Sequence, residues 1–109
     1  MKFRITLKAE VIVEFDENSE EFKEIFHGYK DAIDGSANLE SLSESIASHV
    51  SRYGTREFIE GVGYLNVNSE NQTVFNNGKY EEIESPINIE VETDLNGRVD
   101  FEIEYTEEI

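Results

Sequence analysis

A regular alternation at the start of the chain is the feature that most constrains its fold. From Lys2 to Phe15 every odd-numbered residue is apolar and nearly every even-numbered residue is polar. Because successive side chains of a β-strand point to opposite faces, this pattern predicts one long strand with one face in a core and the other in water. The apolar face needs a cover, so we expect a sheet packed by other elements.

Two helices are predicted after this strand. Apolar residues at three- and four-residue steps indicate an amphipathic helix over 19–33, which ends near Gly35. A second stripe of the same kind over 39–53 predicts a helix that begins at Ser36 or Asn38, and Gly54 stands at its expected end. Both helices are expected to cover the sheet rather than to form a separate module.

The pattern becomes strand-like again after Gly54. A strand is predicted over 58–67, with Gly61 and Gly63 indicating a bulge or a close backbone approach. A turn over 68–72, a short strand over 73–75 and a tight connection at 76–78 then lead into a strand over 79–83. Because apolar residues of 58–67 fall on both faces, an alternative interpretation is that one face is a homodimer interface.

Two further alternating runs follow Pro86 and flank Asn96-Gly97, which predicts a C-terminal hairpin. A two-residue loop would mix apolar and polar side chains on each face. The three-residue loop Leu95-Asn96-Gly97 places the apolar residues of both strands on one face. The expected pairs are Ile87 with Tyr105, Ile89 with Ile103, and Val91 with Phe101.

The same register predicts an array of carboxylates on the other face of this hairpin. Glu92 would lie opposite Asp100, Glu90 opposite Glu102, and Asn88 opposite Glu104. Directly paired side chains are about 5 Å apart at Cβ, and like charges there destabilise a pair by up to about 1 kcal/mol. Selection for stability alone does not favour such an array, so we interpret it as a binding surface. The competing interpretation is that the acidic surface only keeps the chain soluble.

Composition argues against several classes of function. The chain has 25 acidic and 9 basic residues, a formal charge of −16, which argues against direct binding of nucleic acid or of an anionic membrane. With no cysteine there is no disulfide, thiolate metal site or cysteine nucleophile. His27 and His49 have no catalytic partner at a recognised spacing, so we expect neither an enzyme nor a cofactor. Weak divalent-cation binding is a further alternative, with ligands from Glu90, Glu92, Asp100 and Glu102.

In size, acidity and expected α+β build, the chain resembles the small phage proteins that mimic DNA and inhibit host CRISPR-Cas nucleases, restriction systems or uracil-DNA glycosylase. The resemblance lies in composition and in the segment from Glu81 to Glu108, where Arg98 is the one basic residue. It implies a non-enzymatic inhibitor that occupies the basic cleft of a nucleic-acid-binding protein by DNA mimicry or steric blocking. Tyr64, Phe75, Tyr80 or Tyr105 at the rim of this surface could add apolar anchors. The expected partner-binding residues are Glu81, Glu82, Glu84, Glu90, Glu92, Asp94, Asp100, Glu102, Glu104 and Tyr105.

We therefore expect a single α+β domain over residues 1–109. Two helices should pack on a mostly antiparallel sheet of five to six strands, in the order β-α-α-β-β-β-β-β. The apolar stretches are too short for a membrane span, and the alternation from Lys2 does not resemble a signal peptide. The expected location is the cytoplasm, of the host if the chain is phage-encoded.

Overall fold

The computed structural model describes residues 1–6, 10–91 and 105–109, and these residues form the α+β fold that the sequence predicts. Two helices pack on a mostly antiparallel sheet of five strands. The elements follow one another as β1 (Lys2–Thr6), β2 (Glu10–Phe15), α1 (Glu20–Ala32), α2 (Leu39–Tyr53), β3 (Asn66–Val67), β4 (Gln72–Asn76), β5 (Lys79–Ile83), β6 (Ile87–Val91) and β7 (Tyr105–Glu108).

The strands belong to two separate sheets. The larger has the order β3-β6-β2-β1-β7, and among its described pairs β3 and β6 are parallel while the others are antiparallel. β4 and β5 pair only with each other in the described part of the chain, as a two-stranded antiparallel sheet that we call the ribbon. The ribbon is therefore inserted between two strands that are neighbours in the larger sheet.

The single strand predicted over 2–15 is wrong, because the structure divides it into the antiparallel pair β1 and β2. Phe3 pairs with Val13 and Ile5 pairs with Val11, so odd-numbered residues face odd-numbered residues. A hairpin with an odd-numbered loop keeps the apolar alternation in phase on both strands, and the pattern cannot distinguish it from one longer strand. The predicted faces are correct: the odd-numbered residues of β1 and β2 whose side chains are described are all buried.

The core lies between this sheet face and the two helices. Leu42, Ile46 and Val50 of α2 are fully buried, and the rings of Phe15 and Phe22 lie 5.1 Å apart and join β2 to α1. Burying one such side chain stabilises the fold by roughly 1.5–3 kcal/mol. The apolar face of the sheet and the stripes of both helices thus supply the main stabilisation.

Both helices begin at capping residues that the sequence predicts; α2 also ends at its predicted glycine, whereas α1 ends at Ala32, before Gly35. The Ser19 hydroxyl accepts a hydrogen bond from the Phe22 N–H (3.2 Å) at the start of α1. Asn38 and Ser41 form a reciprocal capping box at the start of α2, and Gly54, with φ 89°, ends it. These contacts satisfy backbone groups that a helix leaves without intrahelical partners.

The strand predicted over 58–67 is wrong except at its last two residues, which form β3. Ile59 and Gly63 instead exchange backbone hydrogen bonds of 3.0 and 2.7 Å across a tight turn. At the centre of that turn Gly61 has φ +80° and lies against Tyr29 and Ile33 of the α1 end. The apolar residues of this segment therefore line a turn packed on α1, and the two-faced strand that suggested a homodimer interface is not formed.

Of the predicted pairs of the C-terminal hairpin, Ile87 with Tyr105 is wrong, and the partners in the other two pairs, Phe101 and Ile103, lie outside the described residues. Ile89 pairs with Val13 of β2 on one edge and with Val67 of β3 on the other. Ile87 pairs with Phe15, and Val91 pairs with Val11. Tyr105 lies in β7, where its backbone pairs with Thr6 at the far side of the sheet. Alternation fixes which residues share a face but not which strand is the neighbour, so the apolar pattern was compatible with the wrong partner.

The central part of the predicted carboxylate array lies outside the described residues. This holds for the Leu95-Asn96-Gly97 loop and for Glu92, Asp94, Asp100, Glu102 and Glu104. Within the ranges that the structure describes, no helix is long and apolar enough to cross a membrane.

Candidate functional site

The ribbon is a hairpin with a tight two-residue turn. Asn77 and Gly78 have φ of 53° and 79°, so both turn residues are left-handed, as a type I′ turn requires. This turn matches the right-handed twist of the flanking strands and fixes their register. Phe75 therefore lies directly opposite Tyr80, and Thr73 directly opposite Glu82.

Side-chain amides hold the base of the ribbon to the rest of the fold. The Asn66 amide accepts a hydrogen bond from the Ser85 N–H (3.0 Å) and donates one to the Ser85 carbonyl (3.1 Å). The Gln72 amide donates to the carbonyls of Thr55 (2.7 Å) and Leu65 (2.9 Å). The two ends of the ribbon are thus fixed side by side on the core.

A third side-chain amide, that of Asn68, extends the short strand β3. Asn68 accepts from the Val91 N–H (3.0 Å) and donates to the Val91 carbonyl (3.1 Å). These bonds occupy backbone groups of Val91 that a further strand would need. The edge of β6 on which the predicted hairpin partner would have to pair is therefore closed by Asn68.

The tip of the ribbon carries an exposed aromatic pair. Phe75 and Tyr80 are 66% and 78% exposed, the highest values for large apolar side chains in the described part of the chain. Their ring centroids lie 5.2 Å apart in an edge-to-face arrangement. Most large aromatic side chains of a small domain contribute to its core, whereas these two leave most of their surface in water.

The carboxylates of the ribbon lie on both of its faces. Because side chains alternate along a strand, Glu82 shares a face with Tyr80, and Glu81 lies on the opposite face with Val74. The Glu82 Oε1 atom accepts a hydrogen bond of 2.8 Å from the Asn71 amide, which orients the carboxylate. We call the surface formed by Thr73, Phe75, Tyr80 and Glu82 the ribbon face.

Glu84 belongs to a neighbouring acidic groove of about 510 Å³. Three other carboxylates line the groove, those of Glu14, Asp16 and Glu21, and no basic residue is among its described lining residues. The groove borders the end of the ribbon, where the chain passes from β5 to β6. It therefore continues the negative charge of the ribbon along the surface.

Glu90 lies on the outer face of the five-stranded sheet. Its partner in β2 is Ile12, and the Asn68 amide contacts the next residue, Val91, on the other edge. The structure therefore does not bring together all four described acidic residues of the predicted site. Glu81 and Glu82 share the ribbon, Glu84 joins the groove beside it, and Glu90 lies apart on the sheet.

Basic groups neutralise other carboxylates. Among the described residues, Lys2 pairs with Glu14 (3.2 Å), Arg4 with Glu107 (3.3 Å), and Lys23 with Glu20 (3.2 Å). The N-terminal amine pairs with Glu17 and His27 contacts Asp31. None of the ion pairs within the described ranges involves Glu81, Glu82, Glu84 or Glu90, so the ribbon and its surroundings keep a negative charge.

Two other titratable groups in the described ranges have shifted pKa values. Burial lowers the pKa of His49, and the charge of Glu57 partly opposes this effect. The Ser36 hydroxyl and backbone N–H lower the pKa of Asp34 on the surface. The described side chains include no group of three or more His, Asp or Glu residues arranged to hold a metal ion.

Sequence reasoning missed how the ribbon presents its aromatic pair. Phe75 and Tyr80 were expected as separate rim anchors, although a two-residue Asn77-Gly78 loop already places them opposite each other. No local sequence pattern predicts the hydrogen bonds made by the amides of Asn66, Asn68 and Gln72, because these bonds join segments that are distant in sequence.

By sequence and by structure, no protein-family model, curated protein or solved structure matches the chain.

Proposed function

We propose that the chain is a non-enzymatic acidic binding protein that inhibits a nucleic-acid-binding protein by occupying its basic surface. The partner is a protein with a cationic cleft, and neither nucleic acid nor a membrane is bound directly. One observation carries the proposal: the ribbon projects an exposed aromatic pair beside carboxylates that pair with no base among the described residues.

The charge of the chain supports this choice of partner. A formal charge of −16 repels phosphate backbones and attracts cationic surfaces. Rapid encounter is the main effect of such long-range attraction, whereas close packing of apolar groups supplies the slow dissociation. The long-range attraction comes from Glu81, Glu82 and Glu84. The apolar packing comes from Phe75 and Tyr80.

Fixed geometry adds to the charge. The type I′ turn and the amide contacts at the base hold the ribbon in one conformation, so little ordering is needed when it binds. The major groove of DNA admits a two-stranded β-ribbon. A protein cleft that holds a whole duplex is wider than that groove. The ribbon is therefore narrow enough to enter such a cleft.

The experiment is affinity capture from a lysate of the native host with tagged chain, at about 50 mM and about 200 mM salt. Captured proteins are identified by mass spectrometry, and each is then tested for binding of labelled duplex in the presence of the chain. We expect a basic nucleic-acid-binding protein that is lost at the higher salt and whose duplex is displaced. Captured proteins that bind no nucleic acid, or that keep their duplex, would contradict the proposal.

Charge-reversal variants locate the surface. The ribbon set is Glu81→Lys, Glu82→Lys and Glu84→Lys, and it should weaken binding by at least about tenfold, mostly through the association rate. The matched control, Glu24→Lys, Asp31→Lys and Glu44→Lys on the helices, changes the net charge equally and should have a much smaller effect. Equal losses in both sets would show that net charge, and not the ribbon, determines binding.

A third set tests the C-terminal acids that the sequence singles out. It reverses Glu90, Glu92, Asp100 and Glu102. A loss larger than that of the ribbon set would move the binding surface to the C-terminal segment.

A further inference from the structure

The ribbon face combines an aromatic surface with an oriented carboxylate. Tyr80 and Glu82 are next neighbours on the same face of β5, about 7 Å apart along the strand. Phe75 contacts the ring of Tyr80 from the opposite strand. The Asn71 amide holds one oxygen of Glu82 and leaves the other oxygen to accept further hydrogen bonds.

Two kinds of attraction act on a cation at such a surface. The face of an aromatic ring attracts positive charge, as Lys30 over the ring of Phe26 (5.5 Å) illustrates elsewhere in this chain. A carboxylate beside the ring accepts hydrogen bonds from the same cation. A planar guanidinium can stack on the ring and donate to the carboxylate at once, whereas an ammonium is compact and more strongly hydrated.

We propose that the ribbon face binds an arginine side chain on the basic surface of the partner. The guanidinium stacks on Tyr80, donates to Glu82, and is flanked by Phe75. This assignment rests on the proposed function, because it names the group that the partner presents to the ribbon. Charge complementarity determines the occupant: among the described residues, no ion pair involves Glu81 or Glu82 of the ribbon or Glu84 of the groove beside it.

The test is an NMR titration of the full chain with two capped peptides that differ only in the cation, acetyl-Gly-Arg-Gly-Arg-Gly-amide and its lysine counterpart. We expect the arginine peptide to shift the amide signals of residues 73–82 more than those of the helices. The lysine peptide should bind about two- to fivefold more weakly. Equal affinities, or shifts spread evenly over the acidic surface, would overturn the proposal.

Variants separate the two attractions. Tyr80→Leu keeps apolar area but removes the ring, and it should abolish the preference for arginine over lysine. Glu82→Gln keeps the shape of the side chain but removes its charge, and it should weaken both peptides. The matched control is Phe58→Ala, which removes another exposed aromatic ring, 57% exposed and paired with Tyr64. A loss in Phe58→Ala as large as that in Tyr80→Leu would contradict the assignment.

The same variants distinguish this inference from the proposed function. If a captured basic protein binds Tyr80→Leu as well as the original chain but is lost with the charge-reversal ribbon set, the function stands and the arginine site is wrong. If the arginine peptide selects the ribbon face but no nucleic-acid-binding protein is captured, the arginine site stands and the proposed function is wrong.

Discussion

In the five-stranded sheet the described apolar side chains of the inner face are buried, and Glu14 and Glu107 of the outer face are paired with bases, whereas on the ribbon both the aromatic rings and the carboxylates face water. Lys2 neutralises Glu14 and Arg4 neutralises Glu107 across the sheet. On the ribbon, Phe75 and Tyr80 are the most exposed rings of the described chain, and the carboxylates beside them have no basic partner there. The buried face of the sheet therefore supplies most of the stability of the fold, while the ribbon is available for binding.

The largest expected difference between the two regions is in the cost of removing an apolar side chain. Leu42→Ala empties a fully buried site against the sheet and should lower the free energy of unfolding by about 2–5 kcal/mol. Val74→Ala on the ribbon removes a side chain that is only partly buried and should cost less than Leu42→Ala, about 1 kcal/mol. Urea unfolding followed by circular dichroism measures both. Similar losses would show that the ribbon belongs to the core.

Two glycines, one packed against α1 and one at the ribbon turn, have nearly the same φ but different surroundings. Gly61 and Gly78 have φ of +80° and +79°, so alanine meets the same backbone strain of roughly 1–2 kcal/mol at each. A Cβ at Gly61 would lie 2.8 Å from Cγ1 of Ile33 and 3.1 Å from Cδ2 of Tyr29, whereas one at Gly78 meets nothing within 4 Å.

Gly61→Ala should therefore destabilise the fold by about 1 kcal/mol or more beyond Gly78→Ala, because the neighbouring side chains must move. The same urea unfolding measures this difference. Equal effects would mean that the turn over Ile59–Gly63 relaxes away from α1.

A smaller effect is expected when the aromatic pair is removed. A cross-strand pair of this kind contributes roughly 0.2–1 kcal/mol, so Phe75→Ala with Tyr80→Ala should barely change the unfolding midpoint. The double variant should nevertheless lose partner binding. Unfolding of this variant at ordinary temperature, seen by circular dichroism, would show that the rings serve stability instead.

The smallest effect concerns pH. Burial lowers the pKa of His49 in the folded state, so the unfolded chain binds more protons once the pH falls below about 6.5. Stability from the neutral imidazole is complete above that value and is lost as the pH falls toward the lower, folded pKa. Between about pH 7.5 and 5.5, the original chain should therefore lose more stability than His49→Gln does. An equal loss in the original chain and in His49→Gln would contradict this expectation.

The sequence predicted the faces of the strands better than their neighbours. Burial of Phe3, Ile5, Val11, Val13 and Phe15 follows directly from the odd-numbered alternation. Because odd-numbered residues of β1 pair with odd-numbered residues of β2, the alternation is the same for two paired strands as for one long strand, and it cannot distinguish them. For β6 the same reasoning led to the wrong neighbour.

Helices and short turns were more predictable than long-range pairing because their signals are local. Asn38 and Gly54 mark the two ends of α2, and Asn77-Gly78 marks the ribbon turn. The candidate site could be predicted only in part. Glu81, Glu82 and Glu84 were identified from charge, but their division between two ribbon faces and a groove depends on where the ribbon is attached. That attachment uses amides such as Gln72, which no periodicity reveals.

The paired hydrogen bonds between Asn66 and Ser85 have a consequence for how this protein can change. They bring the two ends of an 18-residue excursion, from Val67 to Glu84, to adjacent points. Lengthening, shortening or exchanging that excursion alters the cost of closing the loop only slightly, since this cost grows slowly with length. The part of this excursion from Thr73 to Ile83 can thus be redesigned for a different target while the helices and the five-stranded sheet keep their sequence.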